Sequence, residues 1–514
     1  MQGFFLSLLL WGTLWASSFV DESFLNTLYR SLHPESIAEL FAFYSLYPQT
    51  TQGKQALIDG WRLLYKHQDQ IPDFDETIVL PDMEIDGLIA LVNQRPFETM
   101  TPLSERELEK MEEISKHLSN RKLKGHGVWK KEELDQLKPE EIDLGRALLL
   151  LEFESDPLKI RHYEAVLDLI ALQILAHLPK GANDLEKIDA INQFIFYEKG
   201  FRFPPHSLSI KEIDTYTFLP LVLDSRLGVC LGVSILYLCI AERIDLPLEI
   251  VTPPGHIFLR YRRGKTTLNI ETTARGIDLP DETYLGINTA ALPQRNKKEV
   301  IGLSLMNQAS VFLQKEAHQT TLDLYKKAQV FLPDDPVLKM LLAYQYLFIG
   351  KTKKGKALLK EIKDVPSDSP ISRETTPEDY LHRKVNVKGI RAIFLQVDES
   401  RASIIHKQQA LQTVLKQCPH FREGLLHYAI TYLQMERTKE ALDALNAYHA
   451  IDPTSPLVEY YLAILSMQRF LYAEAWEHLA LAETLTSRQG YHPNCLKALR
   501  QTLKTLYLDP QDRP

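Results

Sequence analysis

Apolar residues recur at helical spacing along most of the chain. From Phe24 to about His67 the runs SIAELFAFYSLY and KQALIDGWRLLYKH, separated by Pro48 and QTTQG, predict paired helices. The stretch Ser104 to Glu141 mixes both signs of charge and is broken at Gly125-His126-Gly127, which predicts a solvated helix face plus a loop. Apolar helices follow through LGRALLLLEFE, YEAVLDLIALQILAHL and AINQFIFYEKGFRF. The run LGVSILYLCIAER lacks alternation and has the length of a buried helix that ends at the IDLP turn. The clearest β signal comes next: HIFLRYRRGKTTLNIETT is rich in β-branched and aromatic residues and predicts two strands joined at Arg263-Gly264. That loop would set Arg262 opposite Lys265, Leu259 opposite Leu268, Ile257 opposite Ile270 and His256 opposite Glu271. His256, Phe258, Asn269 and Glu271 would then share one face.

Beyond Asn307 the pattern is helical again and acquires a period. Pro419 and Pro453, Ala429 and Ala463, and Ala441 and Ala475 are each 34 residues apart. A looser unit runs from Pro336 through LLAYQYLFIGKTKKGKALLKEI, and QTTLDLYKKAQVFLPDDP supplies a second helix for the unit before it. A helix-ending proline and small residues at helix crossings on this period resemble tetratricopeptide repeats, with an unrelated helical bundle as the alternative.

Composition narrows the function classes. The 514 residues are 45% hydrophobic and 25% charged, an ordinary globular balance with room for several domains. A net charge of -8 without long Lys/Arg runs argues against a nucleic-acid surface. The four cysteines, at 230, 239, 418 and 495, form neither a disulfide scaffold nor a zinc pattern, so neither metal nor cofactor is expected. The N-terminus MQGFFLSLLLWGTLWASS has no charge before Asp21, and its twelve-residue apolar run fits the core of a signal peptide better than a membrane span. Export to the periplasm, the exterior or a membrane anchorage is expected, with membrane contact through this segment. A cytoplasmic protein follows if the segment is not a signal.

One constellation carries chemistry. Gly228-Val229-Cys230 precedes the buried helix and puts Cys230 at its N-terminus, where free N–H groups and the dipole favour a thiolate. Cys239 lies deep in the same helix and is expected to fill the core. A nucleophilic thiol needs a base and the base an orienting acceptor, roles that His256 and Glu271 can fill. The segments ALLLLEFESDPLKIRHYEAVLDLIA, RLGVCLGVSILYLCIAERIDLPLEIV, PPGHIFLRY and NIETTARG, read with the cysteine–histidine–acid order, resemble the transglutaminase-like cysteine enzymes and, more narrowly, their SirB-type bacterial branch. The resemblance spans about Glu141 to Gly276. It implies a papain-like core with Cys230 as nucleophile, His256 as base and Glu271 as the orienting carboxylate, where many members carry aspartate.

The sequence thus predicts a mainly α protein with a small α+β domain. A signal peptide or anchor would occupy 1–18, a helical region 20–140, the transglutaminase-like domain 141–290 and tetratricopeptide-like repeats 307–514. The expected function is thiol acyl transfer, as a peptidase or amidase if water resolves the thioester and as a transamidase if an amine does. The repeats would bind a protein or peptide partner. The alternative is a non-catalytic scaffold that uses only the repeats.

Overall fold

The computed structural model describes residues 22–34, 36–64, 86–98, 102–154, 156–205, 210–362, 374–398 and 400–507. The segment read as a signal or anchor lies outside them. Among the described residues no helix is long and apolar enough to cross a membrane.

The chain divides into two units, Met1–Ile85 and Asp86–Pro514. In the first, α1 (Glu22–Ser31), α2 (Ile37–Leu46) and α3 (Thr51–Leu64) bury Leu25, Leu40, Phe43 and Ala56 among themselves. Helix α2 is started by Ser36, whose hydroxyl accepts from the Glu39 amide.

In the second unit local signals again set the helix starts. Helix α4 (Glu105–Ser115) begins with a reciprocal cap between Ser104 and Glu107. Helices α5 (Leu144–Phe153) and α6 (Pro157–His177) begin at Asp143 and Asp156, each carboxylate accepting from the amide three residues on. They pack around α7 (Cys230–Arg243), in which every residue from Leu231 to Ala241 is buried. That all-round burial explains why the run shows no amphipathic stripe. Gly232 is required on this helix, since a Cβ there would stand 2.2 Å from the Tyr216 carbonyl oxygen. Arg243 closes the helix in the core, its Nε donating to Asp168 Oδ1 of α6 at 2.7 Å and Nη1 to the Cys239 carbonyl at 3.0 Å.

Four strands, β1 (Glu249–Val251), β2 (Phe258–Arg263), β3 (Thr266–Ile270) and β4 (Gln294–Arg295), form an antiparallel sheet in the order β3-β2-β1-β4. The hairpin differs from its sequence reading. Arg263 pairs with Thr266, so the loop is Gly264-Lys265, and Leu259 faces Ile270 rather than Leu268. A tight turn of this kind takes glycine at its first central position, which Gly264 supplies only in the observed frame. The displacement is two residues and the pleat repeats every two, so the face assignment survives. The direct opposition of His256 and Glu271 does not: continuing the register sets Glu271 across from Phe258.

After the sheet the chain is built of helical hairpins: α8 (Lys297–Gln314) with α9 (His318–Phe331), α10 (Pro336–Phe348) with α11 (Thr352–Ile362), α13 (Arg422–Leu433) with α14 (Thr438–Ile451), and α15 (Pro456–Gln468) with α16 (Tyr472–Ser487). A short helix, α12 (Thr376–Leu381), and the helices Val387–Ile393 and Arg401–Gln417 fall between the two pairs of hairpins. Each hairpin turns at one left-handed residue, Glu316, Gly350, Glu436 and Phe470 respectively. The starts of α9 and α11, of α13 and α15, and of α14 and α16 are each 34 residues apart. Ala429, Ala463, Ala441 and Ala475 are completely buried, as are Ala309 and Ala343, also 34 apart. Cβ atoms of this size let the paired helices approach closely. This is a tetratricopeptide-type helical repeat.

The two parts share a core. A single apolar cluster runs from Leu118 through α7 and the sheet to Val300, Leu322 and Leu342, while smaller clusters hold the later hairpins. Helices α8 to α10 are therefore packed into the α+β part, and a cut at residue 307 would divide one core.

Candidate functional site

Cys230 is the first residue of α7. Val229, the residue before it, is extended (φ -67, ψ 171) and caps with no side chain, while its own amide donates to Tyr216 O at 3.2 Å. The N–H groups of the first turn therefore keep their partial positive charge beside the Cys230 sulfur. Cys230 is partly exposed, whereas Cys239 is fully buried. Burial drives the Cys239 thiol far above its ordinary range, outweighing the nearby Arg243 charge, and leaves it inert.

His256 is delivered by the turn Pro253-Pro254-Gly255-His256, closed by the His256 amide on Pro253 O at 3.0 Å. Pro254 and Gly255, the latter at φ +74, hold the two central positions, an arrangement that proline at the second and glycine at the third position of a turn favour. The imidazole Nε2 lies 2.7 Å from Glu271 Oε2. Glu271 belongs opposite Phe258, so His256 reaches it diagonally across the hairpin.

Glu271 is held by four donors. Oε2 takes His256 and the Tyr284 hydroxyl (2.9 Å); Oε1 takes the Thr273 amide (3.1 Å) and hydroxyl (2.5 Å). The adjacent Thr272 hydroxyl is 2.9 Å from that of Ser234, one turn along α7 from Cys230, which ties the carboxylate segment to the helix carrying the thiol. Tyr284 also stacks on Phe258 (centroids 4.0 Å apart) and on His256 (5.9 Å), fixing the imidazole plane. Neither Tyr284 nor Thr273 was a sequence candidate. The threonine two residues beyond the acid, in NIETT, carried the only local signal.

The electrostatics follow from these contacts. The Cys230 thiol and then the Glu271 carboxylate raise the His256 pKa to about 9, against the opposing effect of burial. Burial pushes Glu271 upward, but the hydrogen bonds from His256 and Thr273 win and its carboxyl titrates below the ordinary glutamate range. With Nε2 committed to Glu271, Nδ1 is the imidazole nitrogen left for the sulfur. The structure thus brings the three sequence candidates into one cluster, with His256 between the other two.

Cys230 and His256 line a cleft of ≈ 650 Å³. It is lined by Val229, Leu231 and Pro253 to Ile257 from the α+β part and by Met306 of α8, Val337 and Met340 of α10 and Pro377 of α12. The repeat helices thus close the cleft onto which the thiol opens.

Comparison with known proteins assigns the class. The family model Transglut_core2, the Transglutaminase-like superfamily, matches residues 161–295, and the chain carries a transglutaminase-like domain. No curated protein matches. Similar solved structures include the MamA protein (15% identity, 37% of this chain and 93% of that one, TM-score 0.20). A thermophilic TPR protein from Thermus thermophilus matches at 17% identity over 40% of this chain and 97% of its own (TM-score 0.21). Yeast Tom70 matches at 12% identity over 94% and 85% (TM-score 0.23). The repeat assignment rests on the 34-residue spacing of this chain's own helices.

Proposed function

We propose that this protein is a thiol acyl-transfer enzyme whose nucleophile is Cys230, whose acid–base group is His256 and whose orienting carboxylate is Glu271. The observation that carries the reading is the position of His256, between a thiol at a helix N-terminus and a buried carboxylate with every acceptor site used, at the wall of an open cleft. At neutral pH His256 holds the proton. Cys230 sulfur bonds to an amide carbonyl carbon, and the oxyanion is met by first-turn amides of α7. The carbon–nitrogen bond then breaks and the leaving amine takes the His256 proton. The neutral imidazole next takes a proton from water, whose oxygen displaces the sulfur and releases the acid. Water makes the protein a peptidase or amidase; an amine in its place makes it a transamidase. Export by the N-terminal segment, the division at 141–290 and 307–514, and a protein or peptide partner on the repeats belong to the same proposal, with the difference that α8 and α10 serve the cleft as well as the repeat.

The test is acyl transfer from p-nitrophenyl acetate. The full chain should give a burst of one nitrophenolate per thiol site and an acetyl adduct on Cys230, absent from Cys230→Ser, and an added primary amine should partition the thioester between acid and amide. A chain that gives neither burst nor adduct would be the non-catalytic scaffold.

A further inference from the structure

The repeat domain contains a second constellation, far from any cysteine. Glu459 of α15 is completely buried. Its Oε1 lies 2.6 Å from His449 Nδ1 of α14 and its Oε2 2.8 Å from His478 Nδ1 of α16, and the two rings meet edge to face at 5.3 Å. One ligand atom from each residue falls within 4.8 Å of the others. Three consecutive helices, from two successive hairpins, therefore converge two imidazoles and a carboxylate on one point.

Charge makes this more than a hydrogen-bonded core. Among the described residues the ion-pair partners of Glu459 are the two histidines alone, and a buried carboxylate needs a cation. The other group of this type among the described residues, His126, Asp143 and Glu164, has one: Arg146 binds Glu164 bidentately at 2.5 and 2.6 Å. At Glu459 no guanidinium or ammonium of the described residues fills that place.

We propose that His449, Glu459 and His478 form a binding site for a divalent transition metal of the zinc class that fastens one repeat hairpin to the next. The donor set is two imidazole nitrogens and one carboxylate oxygen, which suits zinc at about 2.0–2.2 Å per ligand with water completing a tetrahedron. Ligand atoms around such an ion stand about 3.3 Å apart, and one atom from each residue already lies within 4.8 Å of the others, so modest side-chain rotations close the set around an ion. Ligation through Nδ1 leaves each imidazole with its proton on Nε2, and Glu459 exchanges two N–H donors for the cation. The His449 side chain is 34% exposed and provides the route in. The intervals, ten residues and then nineteen, match no short motif, because the ligands come together only through the 34-residue stacking of the hairpins.

The test titrates zinc, and cobalt as its spectroscopic substitute, into the chelator-stripped full chain carrying Cys230→Ser, so that the thiol site cannot compete. The expected result is one saturable equivalent, tetrahedral cobalt absorption without a thiolate charge-transfer band, and a Tm that rises with metal. Glu459→Gln and His478→Gln should each weaken binding at least tenfold and abolish the Tm rise. His449→Gln, at a partly exposed position, gives the same readout should Glu459→Gln fail to fold in chelator. Absence of a saturable equivalent, or one that these variants leave unchanged, would overturn the proposal.

Discussion

Alkylation of Cys230 by iodoacetamide tests the thiol site without knowledge of the substrate. His256 is raised from an ordinary 6.5 to about 9, and one unit corresponds to about 1.4 kcal/mol, so its charged form is favoured by about 3 kcal/mol. Cys230 is the larger contributor and Glu271 the next. His256→Ala removes the charged hydrogen-bond partner of the thiol and should slow labelling of Cys230 several-fold at pH 7, measured by quantitative peptide mass spectrometry. Glu271→Gln should slow it less, because the imidazole remains but loses its carboxylate. Cys239, buried and with its thiol pushed far up, should label only on unfolding. A His256→Ala protein that labels as fast as the parent, or a Cys239 that labels alongside Cys230, would refute the assignment.

The same histidine gives stability a pH dependence of known sign. Its pKa is higher in the folded state, so its contribution is complete below about 6.5 and is lost as pH rises through about 9; the parent should exceed His256→Ala by about 2–3 kcal/mol at pH 6 and converge with it by pH 10 in urea melts. Asp168→Ala strips the carboxylate from Arg243, whose side chain is wholly buried, and from Arg121, and should cost about 3–5 kcal/mol; loss of less than 1 kcal/mol would mean that another acceptor replaces it. Gly232→Ala drives a Cβ into the Tyr216 carbonyl and should cost about 1–3 kcal/mol while also slowing Cys230 labelling, because the start of α7 must shift.

Much of this architecture is written locally. The start of α7 at Cys230, the burial of Cys239 and the 34-residue alanine spacing all follow from short patterns. The hairpin frame did not, because RRGKT offers two adjacent two-residue loops and the deciding preference, glycine first, is a matter of turn type rather than of hydrophobic pattern. The partners of Glu271 were hidden for another reason. Tyr284 stands thirteen residues beyond the acid, outside the strands, and no periodicity marks a residue whose role is to stack on one ring and donate to one oxygen. The shared core of α8 to α10 was hidden likewise, since a helix that packs on two neighbours reads like one that packs on one. The 34-residue interval from Ala309 to Ala343 was present in the sequence, and it extends the repeat back into that core.

That overlap bears on specificity. If the thiol domain and the repeat were joined by a linker, the cleft would be complete without the repeat and partner binding would only raise local concentration. Here Met306, Val337, Met340 and Pro377 line the same cleft as Cys230, and α8 shares the apolar cluster with α7. In the proposed function an acyl group held in this cleft would meet these repeat side chains as well as Pro253, so the first hairpins would share in choosing the substrate. Enlarging the wall with Val337→Trp should then slow acylation by a long peptide ester more than by p-nitrophenyl acetate, while iodoacetamide labelling of Cys230 stays within about twofold of the parent. An equal loss for both esters would show that this wall is not on the path to the thiol.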